Sequence, residues 1–462
     1  MSRVEPSDTA MQSSDLQERL IAANRPTRVR WRTMLIVAIV GMLTYLDRLN
    51  LSIAGKYIQD EFSFNTQTMG WILSAFSLGY AACQIPAGWA SDRYGPRKLQ
   101  AAAMVWWSVF TASTAVAPAL RLGAWPSLPW TFAILRFLTG AGESTTSLNS
   151  TKIVSSWLGA TKRGLGSSFN ILGLGLGGAL TPILIASAMQ RWGWRTTFYF
   201  CGALGGVVAL LWLLCVTDTP EEHSGVNAAE LALIHGHPQT DRMAAQRKAA
   251  RTNRPPYGKM FKSRSVRGLL LGYLCQGYAM YFYHAWFFLY LVRVRGLTLT
   301  QAGLWGASPY LAIALLSPLG GWFSDRAVRR LGRHRGRQVA AWLGMTCSAT
   351  LMWVGGHAAG NRLCIFALAA AAGANMFAAT TWWATCVDLA PSYSGSLSGL
   401  MNMFGNFGGW ISPVLTAYVA THLGWTQALD LGAVLTLIGG LLWIFVNAGD
   451  DVEATAPAPS SA

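Results

Sequence analysis

Charge is what this sequence has least of. Only 12% of its 462 residues are Asp, Glu, Lys or Arg, against about 25% in soluble domains. With 52% hydrophobic residues, that scarcity excludes an ordinary soluble chain and points to the bilayer. Acidic residues are rarer still, 20 against 36 Lys and Arg. The resulting net charge of +16 would suit nucleic acid, but the basic residues are distributed by topology, as shown below, so no nucleic-acid partner is expected. The seven cysteines (Cys83, Cys201, Cys215, Cys275, Cys347, Cys364, Cys386) are odd in number, form no Cys-x-x-Cys pair and all fall in apolar stretches. They read as buried, reduced thiols, with neither a disulfide framework nor a zinc site. There is no Gly-x-x-x-x-Gly-Lys-Ser/Thr loop to cradle phosphates, which excludes ATP drive. The closest histidines, His235 and His237, have no acidic or cysteine partner, so no metal and no cofactor is expected. No nucleophile–base pair is visible, which argues against an enzyme. Residues 1–30 are polar, with no apolar signal region ahead of the first span, so no cleaved secretory signal is expected.

What the chain has instead is apolar runs. Twelve spans can be drawn, near 32–54, 69–90, 99–118, 129–151, 165–189, 196–216, 267–291, 301–323, 338–356, 362–386, 397–421 and 426–447. Each is long enough to cross about 30 Å of hydrocarbon as a helix, and lipid leaves separate apolar spans no other option. If the N-terminus is inside, 27 of the 36 Lys and Arg fall in inner segments, seven in outer ones and two within spans. That bias puts both termini in the cytoplasm and explains the positive charge as topology, with contact to anionic lipid head groups. The compact loops and short tails suit a bacterial inner membrane.

The chain also repeats itself. Gly88-Trp89-Ala90-Ser91-Asp92-Arg93 returns as Gly321-Trp322-Phe323-Ser324-Asp325-Arg326, and Gly177-Gly178-Ala179-Leu180-Thr181-Pro182 as Gly408-Gly409-Trp410-Ile411-Ser412-Pro413. Two related halves meeting at a central site support alternating access by rocking. The expected fold is an all-α membrane protein with twelve transmembrane helices in two pseudo-symmetric six-helix bundles. Its divisions are a cytoplasmic tail (1–31), an N-terminal bundle (32–216), a central cytoplasmic loop (217–266) that reads as a tether with a short amphipathic helix, a C-terminal bundle (267–447) and a second cytoplasmic tail (448–462).

The residues that are expensive in lipid are charges inside spans, at least about 2.5–3.5 kcal/mol each at the bilayer centre. Asp47 and Arg48 interrupt span 1; Arg136 and Glu143 interrupt span 4. Gly41, Tyr45, Arg48 and Ser52 share one helical stripe, and Arg136, Gly140, Glu143 and Ser147 share another. Both guanidiniums should lie at a similar depth, where a pair can grip an anion bidentately. Arg48 and Arg136 are therefore candidates to hold an anionic group, with Glu143 and Asp47 exchanging protons; alternatively, the two carboxylates are static ion-pair partners of the arginines. Spans 7 to 12 have no acidic residue deep in a span. They offer neutral candidates for a hydroxyl-rich ligand: Gln276, Tyr283, His284, Trp383, Asn402 and Asn406, with Tyr80 in span 2. Asn402 and Asn406 could equally join helices, and Trp383 could face lipid.

The loop Gly88-x-x-x-Asp92-Arg93-x-Gly95, followed by Arg97-Lys98 after an extra Pro96, resembles the hallmark loop of the major facilitator superfamily of secondary transporters. The resemblance implies gating roles for Gly88, Asp92, Arg93 and Arg97, and for Asp325 and Arg326 in the second copy, without substrate contact. Tyr45, Asp47-Arg48, Asn50 and Ala54, with Arg136-x6-Glu143, Trp286 and Gly405-Asn406, are similar to the anion:cation symporter branch. In that branch's sugar-acid members the span-1 Asp and span-4 Glu are linked to protons and the arginines to the substrate carboxylate. After Glu143 many of those members continue with Ala/Ser-Pro, where this chain has Ser144-Thr145-Thr146-Ser147. The expected function is proton-coupled uptake of an organic anion, a sugar acid such as a hexonate, hexuronate or aldarate. The alternatives are an exporter or exchanger of the same fold and a non-transporting membrane sensor. A monomer suffices for the mechanism.

Overall fold

A computed structural model describes residues 25–120, 128–158, 163–235, 257–391 and 393–450; the side chains of Asp92, residues 163–168 and His235 are not among those described. The Pro255-Pro256 stretch of the central loop and most of both tails also lie outside the described residues.

Spans 1 to 3 are α1 (Val29–Phe62), α2 (Thr66–Tyr94) and α3 (Pro96–Thr114). Span 4 is broken into α4 (Leu128–Glu143) and α5 (Thr146–Trp157). Spans 5 and 6 are α6 (Arg163–Trp192) and α7 (Trp194–Cys215). Two short helices, α8 (Ala228–His235) and α9 (Tyr257–Lys262), belong to the central loop. Span 7 is α10 (Arg264–Ala285) followed by α11 (Phe287–Arg293). Span 8 starts as α12 (Leu299–Gly306) and continues in α13 (Ser308–His357), which is two helices divided at Gly332, the second of them span 9. Spans 10 to 12 are α14 (Asn361–Leu389), α15 (Ser394–His422) and α16 (Trp425–Leu441), the last extended by a 3-10 turn over Leu442–Phe445. The basic stretch between spans 8 and 9 is helical rather than an open loop; the chain reverses at Gly332, whose φ of 79° and ψ of 168° suit glycine.

These helices form two six-helix bundles whose internal contacts repeat. A side chain cannot fit where α2 crosses α4: a Cβ on Gly79 would lie 2.1 Å from Phe137 O, and one on Gly140 2.1 Å from Phe76 O. In the second bundle Gly320 meets Phe377 O at 2.2 Å in the same way. Such small-residue contacts let helices pack closely where lipid provides no hydrophobic drive between them. The α2–α4 contact has a local consequence, because it sets the Phe76 ring under the arginines described below.

The bundles meet on the side away from residues 25 and 450, here called the distal side. Ser52 Oγ donates to Ala285 O at 2.6 Å, and Leu289 fills the space beside Gly55. Arg293, the last residue of α11, pairs with Asp60 at the end of α1. Gly70 abuts Pro413, Gly303 abuts Pro182, and Thr300 donates to Gln190 at 3.4 Å.

On the opposite side a buried carboxylate of the central loop holds the start of the first bundle. Glu230 of α8 is fully buried. It accepts from Thr27 Oγ1 at 2.5 Å, Val29 N at 3.0 Å and Arg30 N at 3.1 Å. These amides open α1 and have no acceptor inside the helix, so Glu230 acts as an external cap and places a negative charge at the helix N-terminus. Glu230→Ala should therefore lower the stability of the purified protein by about 2 kcal/mol; a thermal midpoint in detergent equal to that of the parent would refute the cap.

Candidate functional site

Between the bundles, on the side facing the termini, lies an open cavity of about 230 Å³. The first bundle contributes Tyr45, Arg48, Tyr80, Glu143 and Ser147 to its wall. Arg48 Nη2 lies 3.5 Å from Glu143 Oε2, an ion contact longer than a strong hydrogen bond. Its guanidinium is otherwise enclosed by the rings of Phe76, Tyr80 and Tyr45, at 5.0, 5.3 and 5.5 Å from their centroids, within cation–π range. Its Nε is buried without a partner, as are both Glu143 oxygens as far as hydrogen bonds are concerned. The pair is thus held loosely and retains unused donors and acceptors on the cavity wall.

Glu143 owes its position to the break in span 4. The hydrogen-bond ladder tightens at Ser144-Thr145 without a proline: Thr145 keeps helical dihedrals, but its N–H donates to Gly142 O at 3.4 Å, three residues back. Ser144 Oγ donates to Ala141 O at 2.7 Å and Thr145 Oγ1 to Gly142 O at 3.1 Å; hydroxyls that bond back to their own helix bend it.

Arg136 does not line this cavity. It is buried and donates to Asp47 O at 2.9 Å and Arg48 O at 2.6 Å, with its guanidinium 4.9 Å from the Phe76 centroid. The two guanidiniums thus flank one ring, but Arg136 spends its donors on the backbone of α1. Asp47 also points away from the cavity and is fully buried. Asn50 donates to its Oδ1 at 3.4 Å, and Trp107 and Thr111 of α3 face the carboxyl.

The wall supplied by the second bundle is neutral and already hydrogen-bonded. Gln276 Nε2 donates to Asn375 Oδ1 at 2.6 Å, Tyr281 Oη to Asn406 Oδ1 at 2.8 Å and Trp383 Nε1 to Tyr273 Oη at 3.2 Å; Asn402 also lines the cavity. Across from them Tyr80 Oη lies 3.3 Å from Ser147 Oγ. His284 and Tyr283 lie outside the main wall. His284 Nδ1 is 3.1 Å from Tyr310 Oη, and its ring packs edge-on to Tyr45 and Tyr281. Tyr283 borders a smaller void with Leu49, Ser52 and Tyr310. Tyr273, Met280 and Tyr281 line the cavity and were not singled out from sequence as binding residues. A signal for them exists: Tyr273, Gln276, Gly277, Met280 and Tyr281 recur at helical spacing along one face of α10.

The described contacts of the two copies of the loop motif lie within their own halves of the chain. Gly88 faces Leu148 of α5. Arg93 is exposed over Trp89 and Tyr94. Asp218 Oδ1 accepts from Arg97 N at 2.7 Å, and Arg97 Nη2 donates to Leu213 O at 2.6 Å. In the second copy Arg337 bridges Asp325 and Asp388, at 3.0 Å each, and Arg326 sits over Trp322. The Asp92 side chain lies outside the described residues.

Two repeated helical bundles around a central cavity sealed on one face define a membrane transporter. The chain belongs to the Major Facilitator Superfamily, whose family model matches residues 37–413; its relatives are transporters, not enzymes. It is 32% identical over 437 residues to a D-galactonate transporter of Escherichia coli, covering 92% of this chain and 97% of that protein. It is 29% identical over 448 residues to a probable galactarate/D-glucarate transporter of the same species, covering 95% and 97%. A probable sulfoacetate transporter of Cupriavidus necator is 29% identical over 433 residues, covering 91% and 95%. These relatives are organic-anion transporters, consistent with the anion:cation symporter branch. Among solved structures, a bacterial homologue of the lysosomal transporter Spinster, inward-facing and unoccupied, matches with a TM-score of 0.72 at 15% identity over 94% of this chain and 99% of that one. The D-xylose-proton symporter gives 0.65 at 16% identity, over 90% and 98%. At these identities the structural matches establish the fold alone.

The contrast between the two arginines is testable without a substrate. Arg136→Ala should lower the thermal midpoint, since two charge-assisted bonds worth about 2 kcal/mol tie α4 to α1. Arg48→Ala should lower it less, because Glu143 left without its cation can take up a proton, and equal losses for the two variants would contradict the assignment.

Proposed function

We propose that the protein is a secondary active transporter that imports an organic anion of the sugar-acid class together with protons. The observation that carries this reading is the loose Arg48–Glu143 pair on the cavity wall. A substrate carboxylate competes with Glu143 for the guanidinium. A carboxyl group that loses its cation in a low-dielectric site binds a proton, so substrate and proton enter together and leave together. Arg136 acts one step back: by holding the carbonyls of residues 47 and 48 it fixes the segment that carries Arg48. Asp47, buried beside α3, is the second proton-exchanging group, and its backbone link to Arg136 connects it to the same segment.

The relatives' substrates support the anion class, and the hydroxyl and amide groups of Tyr80, Ser147, Gln276, Asn402 and Asn406 suit a polyol body. With the termini in the cytoplasm of a bacterial inner membrane, as the Lys and Arg distribution supports, the sealed distal side is extracellular and the cavity faces inward. Opening outward requires the Asp60–Arg293 pair and the Ser52–Ala285 contact to separate. It would bring the Asp92–Arg93 loop and its Asp325–Arg326 copy toward the opposite bundle as cytoplasmic gates. The chain works as a monomer in this scheme, with the bilayer as its solvent and no cofactor.

The test is uptake into proteoliposomes of labelled hexonate, hexuronate and aldarate with and without an inward proton gradient. The parent should accumulate one class only with the gradient. Arg48→Ala should bind and move none, while Glu143→Gln and Asp47→Asn should exchange substrate across the membrane without accumulating it. Gradient-driven accumulation by Glu143→Gln would overturn the coupling role, and outward-only transport would favour an exporter.

A further inference from the structure

The charge on the cavity wall sets a limit on the charge of the cargo. Among the described residues lining the cavity, Arg48 is the one cation and Glu143 the one anion. Arg136, the other cation in the spans of the first bundle, is buried and committed to two carbonyls. The facing wall is neutral: Gln276, Tyr281, Asn402, Asn406, Trp383 and Tyr273. It is also largely self-satisfied, since Gln276 is bonded to Asn375, Tyr281 to Asn406 and Trp383 to Tyr273.

We infer that this transporter selects monoanions, a hexonate or hexuronate carrying one carboxylate, and rejects the aldarate of the same length. The inference rests on the functional reading above. With Glu143 neutralised by a proton, the wall carries a single positive charge, and one carboxylate against Arg48 brings it to zero. A second carboxylate at the far end of the chain would face amides and phenols with no cation to pair with. While the cavity is open, water can solvate that charge. When the bundles close around the cargo it becomes a buried, unpaired anion, which costs far more than a lost hydrogen bond. Discrimination should therefore be stronger in transport than in binding. The relatives do not decide the matter, because they include both a galactonate and a galactarate/glucarate transporter.

Three labelled substrates of one carbon length separate charge from size in gradient-driven uptake: the hexonate, the corresponding aldarate and the aldarate half-amide, whose second carboxyl is neutral. The expected result is uptake of the hexonate and the half-amide, with the aldarate slower by about a hundredfold. Asn402→Lys, which adds a cation to the neutral wall, should raise aldarate uptake relative to hexonate. Equal uptake of hexonate and aldarate by the parent overturns the inference while leaving sugar-acid transport intact. A half-amide as slow as the aldarate overturns it too, by showing that size decides. Uptake of none of the three, alongside uptake of another anion class, removes both the inference and the functional reading beneath it.

Discussion

The contact between Arg48 and Glu143 is the interaction on which the rest depends. It puts two opposite charges on the wall of a cavity inside the bilayer, where each alone would be costly. It is also weak by the standards of a buried pair: 3.5 Å between the nearest atoms, with aromatic faces rather than hydrogen bonds around the guanidinium. A tighter bidentate pair would be a structural clamp. This one leaves the arginine able to change partners, and much of the surrounding structure serves to hold it there. The glycine contact of α2 on α4 places Phe76 beneath both arginines, Arg136 fixes the backbone that carries Arg48, and Glu143, the last residue of α4, sits on the cavity wall.

The two bundles are alike in architecture and unlike in chemistry. Gly79 on Phe137 in one half is matched by Gly320 on Phe377 in the other, and the loop motif recurs at Asp325-Arg326. Yet among the described residues the charges in contact with the cavity come from the first bundle, and the second supplies amides, phenols and an indole. Symmetric packing suits rocking of one bundle against the other. On the proposed reading, asymmetric chemistry would give the cargo a polarity, with its anionic end toward the first bundle and its neutral body toward the second.

Much of this was legible in the sequence. Helical spacing put Tyr45 with Arg48 and Glu143 with Ser147, and all four line the cavity. Scarce charge, the apolar runs and the repeated Gly-Trp-x-Ser-Asp-Arg loop pointed to the twelve-helix fold. What spacing could not give was the reach of long side chains. Arg136 shares a face with Glu143 on the helical wheel, but its guanidinium extends to the carbonyls of a neighbouring helix, which no single-helix pattern contains. Asp47 follows the geometry it must: one residue from Arg48, it is turned about 100° around the helix and faces α3 instead of the cavity. Tyr283 and His284 lie just before the break at Trp286, on the part of span 7 that packs against α1 and Tyr310 at the distal seal, so polarity alone did not separate them from Gln276. The helical stretch around Gly332 was hidden by its basic residues, which read as loop in an apolar count.

Proton binding that accompanies substrate binding tests the exchange of partners at Arg48 most directly. Hexonate would be added to the purified protein in weakly buffered detergent solution near neutral pH, and the change in free proton concentration recorded for the parent and for Glu143→Gln. The account requires the parent to take up protons as the substrate binds, and the variant to bind with that uptake reduced by the share belonging to Glu143. Binding with identical proton uptake in both would contradict it, because substrate would then be entering without displacing Glu143 from its arginine.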